Sequence, residues 1–175
     1  MLHSRLDEPS DWVMRWAHLI PAGGRVLDVA SGSGRHARWL AGRGHAVDAV
    51  DRDAAALATL ASVTGVRTRA ADIENGQWPY VSGEFAGVVV TNYLHRPLFP
   101  ELIATLAPDG VLIYETFAQG NERYGRPSNP EFLLRPGELL ELLQGQFRVI
   151  AYEDTYVERP KPALVQRVCG VKSTP

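Results

Sequence analysis

The sequence predicts one α/β domain built on a doubly wound, mostly parallel sheet of seven strands, with helices on both faces and a C-terminal antiparallel hairpin. Three observations carry this. Short apolar runs alternate with helical patterns from residue 25 to residue 115, and strict β-α alternation calls for parallel strands joined by right-handed crossovers. Val26-Leu27-Asp28-Val29-Ala30 runs into Ser31-Gly32-Ser33-Gly34 and then into a helical pattern, which reads as strand, glycine loop and helix. Finally, the strand-like runs 147–157 and 163–171 are joined only by Glu158-Arg159-Pro160-Lys161-Pro162, and a connection this short makes a hairpin, not a crossover.

A length of 175 residues suits a single domain over 1–175 with a full core and leaves no room for a separate substrate domain. Lys and Arg number 18 against 20 Asp and Glu, a formal charge of -2, so no overall field draws a polyanion and nucleic acid is not an expected partner. Cys169 is the only cysteine, which excludes an intrachain disulfide and a cysteine-based zinc site, and it reads as a small apolar residue of a late strand. No metal is expected. Every apolar run falls far short of the roughly 20 residues a bilayer requires. Arg5, Asp7, Glu8, Asp11 and Arg15 interrupt any signal-peptide h-region, so a cytoplasmic, soluble protein is expected.

Taken in order, residues 1–24 hold a leading helix and a linker. Trp12, Val13, Trp16, Leu19 and Ile20 have helical spacing, Ser10 or Asp11 is placed to cap them, and Pro21-Ala22-Gly23-Gly24 stops them. After the glycine loop, Ala37, Leu40 and Ala41 form the apolar stripe of a short helix. The alternation of 45–51 predicts a second strand, Asp53 a cap for the helix over 54–61, and 66–71 a third strand. Phe85 to Thr91 is a continuous β-branched run, as in strands buried on both faces. The spacing predicts a helix over 97–107, a turn at Pro108-Asp109-Gly110 and a fifth strand over 111–115. Residues 116–135 show no sustained period; a loop this long in a small domain points to an active-site segment, with disorder as the plainer alternative. Pro136 then opens a helix carrying Leu139, Leu140, Leu142 and Leu143.

In sheets of this type ligands bind beyond the carboxyl ends of the strands, so the strand ends hold the candidates. Glycines there let backbone approach a ligand, and the following helix points free N–H groups at the same spot, although the same glycines also serve as a plain turn. Asp28, Asp51 and Asp72 end the first three strands, 23 and 21 residues apart. Each alone reads first as a helix cap or a solvated loop residue; together with the glycine loop they describe a nucleoside pocket, with Asp51 suited to two ribose hydroxyls and Asp72 to an exocyclic amine.

This pattern resembles the class I S-adenosylmethionine-dependent methyltransferases, Rossmann-like enzymes, over nearly the whole chain. Val26-Leu27-Asp28-Val29-Ala30-Ser31-Gly32-Ser33-Gly34 is similar to their first motif, with Ala30 where glycine is usual. Gly32-Ser33-Gly34-Arg35-His36 and Val47-Asp48-Ala49-Val50-Asp51 look most like the small tellurite-resistance branch. The resemblance implies that Asp28, Ala30, Gly32 and Gly34 belong to the cofactor loop against the methionine part. It implies that Asp51 takes the ribose with Arg52 beside it, that Asp72 and the Ile73 backbone hold adenine, and that Asn92 sits near the sulfonium. It also implies methyl transfer from S-adenosylmethionine, with S-adenosylhomocysteine as product. The Asn-Pro-Pro-Tyr signature of amino-methylating enzymes is replaced after Asn92 by Tyr93-Leu94-His95, which favours a small-molecule acceptor.

His95 is the candidate general base, with Tyr93 and Glu115 behind it; a helix-opening residue beside Pro97 is the plainer reading. Arg96, Arg123, Tyr124 and Arg126 are candidate acceptor contacts, or ordinary surface groups. Two other functions fit parts of the pattern. Gly32-x-Gly34-x-x-Ala37 with Asp51 satisfies a relaxed nicotinamide-dinucleotide fingerprint, against which stand the acid at Asp28, the hairpin ending and the missing substrate domain. A non-catalytic module sensing S-adenosylmethionine is the other. The sequence assigns no acceptor atom and no oligomeric state.

Overall fold

Strand β1 is Val26–Val29, and in the computed structural model, which describes residues 7–174, all four of its residues are buried. A strand with no exposed face requires cover on both sides, and the β-α alternation supplies it. β2 (Val47–Asp51) and β3 (Val66–Ala70) lie to one side of β1 and β4 (Phe85–Thr91) and β5 (Leu106–Phe117) to the other, all parallel. β6 (Phe147–Val157) and β7 (Ala163–Lys172) form the hairpin, with β7 antiparallel to both β5 and β6. The order is β3-β2-β1-β4-β5-β7-β6. The predicted fold class, strand number and terminal hairpin are all present.

Alternate residues of β1 face two separate cores. Val26 packs with Trp12 and Val13 of α1 (Asp11–Trp16), Ala37 and Leu40 of α2 (Arg35–Ala41) and Leu57 of α3 (Ala54–Ala58). Leu27 and Val29 pack with Leu102 of α4 (Phe99–Thr105) and Leu139 and Leu143 of α5 (Glu138–Leu143). None of these helices exceeds seven residues, so each is held by its buried face rather than by intrinsic helicity. The caps follow the sequence. Ser10 accepts from Trp12 N, and Asp53 accepts from Ala55 N and Ala56 N. The Trp12 indole donates to the Val168 carbonyl at 3.2 Å, fixing α1 against β7. Residues 1–6 of the expected leading segment lie outside the described residues.

Strand order reverses between β1 and β4, so the crevice beyond their carboxyl ends is the place for a ligand. Two boundaries beside the site differ from the sequence reading. The helix expected over 97–107 is a 3-10 turn, Arg96–Leu98, followed by the shorter α4. Pro108 disfavours helical backbone at Ala107, and Leu106, fully buried, pairs with Phe85 instead. The fifth strand is longer than 111–115 because β7 supplies partners for Thr116 and Phe117. Segment 116–135 is tied at its neck. Ala118 and Leu134 form a parallel bridge, and the buried Asn121 side chain donates to the Pro127 carbonyl and accepts from Leu164 N. No helix among the described residues is long and apolar enough to cross a membrane.

Candidate functional site

The glycine loop is shaped by backbone that side chains rarely adopt. Ala30, Gly32 and Gly34 have φ of 52, 54 and 78°, which glycine takes at no steric cost and alanine does not. At Gly34 a Cβ would collide with the Leu60 side chain, whereas the Cβ position of Gly32 meets nothing within 4 Å. One glycine is thus required for packing and the other by its backbone, with open space in front of it.

Two acids brace this loop. Asp28, 1% exposed, accepts from Ala37 N at 3.1 Å and lies under the loop, outside the walls of either cavity described below. Burial pushes its carboxyl up to about 7, helped by Asp51 and resisted by the Ala37 N–H and the charge of Arg35. Asp51 accepts from Gly32 N at 2.8 Å through one oxygen and from Asp53 N at 2.9 Å through the other. A carboxylate has about four acceptor sites, so Asp51 is oriented by the loop and keeps capacity for two ligand hydroxyls.

Asp51 stands in the wall of a cavity of about 630 Å³, within the roughly 300–1,000 Å³ of small-molecule sites. Ala30, Arg52, Asp72, Ile73 and Asn92 line it too, so six of the nine predicted cofactor residues meet here, while Asp28, Gly32 and Gly34 shape the loop behind. Asp72 accepts from Glu74 N, Asn75 N and the Asn75 amide, bonds that hold its carboxyl below the ordinary value. Pro127 and Phe132, from the segment 116–135, complete the wall. Among the described residues no cluster of three or more His, Cys, Asp or Glu side chains is placed to hold a metal ion.

A second cavity of about 350 Å³ shares only Asn92 and Phe117 with the first. Its walls come from residues 8–11, Arg35, the end of β5 and the β6–β7 hairpin. Glu115 lines it and is held there from two sides. Ser10 Oγ donates to Oε1 at 2.6 Å, and Arg167 Nη1 lies 3.0 Å from Oε2. Ser10 N donates to His36 Nε2 at 3.0 Å, which places the ring proton on Nδ1. Burial, with the charge of Arg35, pushes His36 down to about 3, so the ring is a neutral brace joining α2 to the leading helix.

The other predicted residues fall differently. Tyr93 lines the larger cavity, its hydroxyl donating to Glu74 at 2.9 Å; burial and then Glu74 push this phenol well up, so it holds its proton at neutral pH and is no base. His95 lines neither cavity and sits 3.9 Å from the other oxygen of Glu74. Arg96 is committed to structure. Its guanidinium grips Glu138 at 2.6 and 3.0 Å and donates to the Glu131 and Leu133 carbonyls. Arg123, Tyr124 and Arg126 line neither cavity; Tyr124 packs on Tyr156, and the Arg126 carbonyl accepts from Lys161. Sequence reasoning missed Glu74, Arg159, Lys161 and Arg167, and took Ser10 as a cap alone. Only the hairpin-tip charges Arg159 and Lys161 carried a local signal, as cations in a turn beside a strand end.

The comparisons agree with this geometry. The methyltransferase domain family matches residues 26–110, from β1 to the turn before the main run of β5. Haemophilus influenzae TehB is similar in structure with a TM-score of 0.78 at 17% identity, over 94% of this chain; the chain spans 63% of TehB's length. A S-adenosylmethionine-dependent methyltransferase of Methanosarcina mazei is similar with a TM-score of 0.74 at 15% identity, over 96% of this chain and 100% of that one. The 1,6-didemethyltoxoflavin-N1-methyltransferase of Burkholderia thailandensis, solved with 1,6-didemethyltoxoflavin and S-adenosylhomocysteine, is similar with a TM-score of 0.65 at 23% identity, over 93% and 76%. A sequence comparison with curated proteins finds no match. With the strand order, the glycine loop and the matched stretch in agreement, residues 26–110 are similar to the methyltransferase domain family, and the chain as a whole has the fold of the S-adenosylmethionine-dependent methyltransferases.

Proposed function

We propose that the protein transfers the methyl group of S-adenosylmethionine to a small-molecule acceptor by in-line displacement, the larger cavity taking the cofactor and the smaller one the acceptor. The observation that carries this reading is the meeting of the two cavities at Asn92 and Phe117 alone. Methyl transfer needs two ligands approaching each other through one narrow contact, and a pure sensor needs only one cavity. The volume of about 350 Å³ suits a small molecule, and the Burkholderia neighbour acts on one.

The cofactor supplies a methyl group already activated on a sulfonium. The chain's task is then alignment and water exclusion, and alignment is worth up to about 7–11 kcal/mol in well-oriented systems. Asp51 holds the ribose hydroxyls with the acceptor capacity left after Gly32 and Asp53 are served. Asp72 and Ile73 take the adenine end, and Asn92, at φ 54°, stands where the two ligands meet. Pro127 and Phe132 add apolar surface to the wall of that cavity. Of the three candidate catalytic side chains, Glu115 alone lines the smaller cavity. Held by Ser10 and Arg167, it is positioned to accept a hydrogen bond from an acceptor hydroxyl or amine.

Calorimetric titration with S-adenosylhomocysteine and with NADH, in wild type and Asp51→Ala, tests the reading. Binding of the first ligand only is expected, weakened at least tenfold by the substitution, since each hydrogen bond to a charged group is worth about 1.5–3 kcal/mol. Binding of NADH, or of neither ligand, refutes it. Turnover in a screen of thiols, metalloid oxyanions and small acids then separates an enzyme from a sensor.

A further inference from the structure

We propose that the acceptor is a small organic acid, whose apolar body carries the hydroxyl or amine to be methylated at one end and a carboxylate at the other, the anionic group being held by Arg159 and Lys161 at the tip of the β6–β7 hairpin. This assignment rests on the acceptor role given above to the smaller cavity.

The charges of that cavity run against those of the chain. Its walls carry the cations Arg35, Arg159, Lys161 and Arg167 against the acids Glu8, Asp11 and Glu115, an excess of one positive charge (4 − 3) in a protein of net charge -2. Which of these charges are already answered decides what a ligand would meet. Arg167 is shared between Glu115 at 3.0 Å and Glu153 at 2.6 Å, so it is spent on holding Glu115. Asp11 sits in the first turn of α1, where a negative charge is favoured by the helix dipole. At the hairpin tip no such compensation exists. Neither Arg159 nor Lys161 has an ion-pair partner among the described residues. The Lys161 ammonium donates to the Arg126 carbonyl at 3.2 Å and lies 5.5 Å from the centre of the Phe117 ring. Both contacts are weaker than a charge-assisted bond to a carboxylate, and a guanidinium and an ammonium in one cavity wall offer a fork and a point charge to an anion.

The rest of the wall specifies the body of the ligand. Phe117, Val157, Ala163 and Val165 give a run of apolar surface between the hairpin tip and the junction with the larger cavity. A bare inorganic anion would leave that surface uncovered, and a neutral molecule would leave the two cations unanswered. An acid with an apolar body satisfies both.

The test uses the full chain saturated with S-adenosylhomocysteine. Benzoate and 3-phenylpropionate are titrated beside their neutral amides, with benzylamine and inorganic phosphate as further probes. At least one acid is expected to bind tenfold or more tighter than its amide. The double variant Arg159→Gln/Lys161→Gln is expected to bring acid and amide within about twofold of each other while still binding S-adenosylhomocysteine, which shows that it is folded. Equal binding of acid and amide, tighter binding of benzylamine, binding of phosphate alone, or no binding of any probe to the saturated protein overturns the assignment. Failure of the wild type to bind S-adenosylhomocysteine overturns the proposed function, and this assignment with it. The two failures are read in separate titrations.

Discussion

Arg96→Met separates a structural arginine from a ligand-binding one. Arg96 donates to both carboxylate oxygens of Glu138, at 2.6 and 3.0 Å, and to the carbonyls of Glu131 at 2.8 Å and Leu133 at 2.9 Å. Glu138 is 4% exposed and accepts also from Arg135 N at 2.8 Å. Burial would push its carboxyl up, but the Arg96 fork and the Arg135 N–H outweigh it and hold the group below its ordinary value. Methionine keeps much of the arginine's bulk and removes the fork, leaving a buried carboxylate without its main partner. Breaking a buried pair from one side costs about 3–5 kcal/mol. Because 34% of the Arg96 side chain is exposed, water replaces part of the loss, and about 3 kcal/mol is expected. At roughly 2–4 °C per kcal/mol for a chain of this size, the melting temperature falls by about 6–12 °C. Adding Glu138→Gln removes the stranded charge and is expected to return about half of the loss. Thermal unfolding of the four proteins of this double-mutant cycle gives the result. A single variant within about 0.5 kcal/mol of wild type, or no recovery in the double variant, refutes the clamp and returns Arg96 to the list of acceptor contacts.

Two further outcomes follow from the glycine loop. The Asp28 carboxyl, raised by burial from 3.8 to about 7, is protonated in the folded chain over a range where the unfolded chain has lost the proton. Its contribution is therefore full below about pH 4 and is lost as pH rises through about 7, a span of roughly 4 kcal/mol at ~1.4 kcal/mol per unit. Asp28→Asn is expected to gain in melting temperature over wild type as pH rises from 5 to 8; a difference independent of pH refutes the burial argument. His36, pushed down to about 3, acts in the opposite sense, losing stability as pH falls below about 6.5, but it is common to both proteins and cancels in the comparison. Ala30 at φ 52° bears a left-handed cost of about 1–2 kcal/mol, against about 0.4–1 kcal/mol for the extra freedom of glycine in the unfolded chain. Ala30→Gly is expected to raise the melting temperature by about 1–4 °C, and a lower melting temperature shows that the Ala30 methyl contributes more by contact than it costs in backbone.

What lies within one β-α unit was legible in the chain. β1 with its glycine loop, the acid of Asp51 one unit later, the Asp53 cap and the tight Glu158-to-Pro162 connection all depend on spacing, caps and backbone freedom among residues close in the chain. Those features were enough to identify the doubly wound sheet and to name six residues, Ala30, Asp51, Arg52, Asp72, Ile73 and Asn92, that meet around one cavity. Whatever depends on a distant partner was settled by the fold. Leu106 left its helix for Phe85, and β5 grew to meet β7. Ser10 became the link between His36 and Glu115, and Arg96, a free cation by its neighbours in sequence, was taken by Glu138 42 residues away. The smaller cavity exists only where residues 8–11, 35, 92, 115–117 and 157–167 converge. Periodicity and capping act over a few residues and leave a signature in the chain, whereas a salt bridge or a cavity wall depends on which strands the topology sets side by side, and no local pattern records that choice.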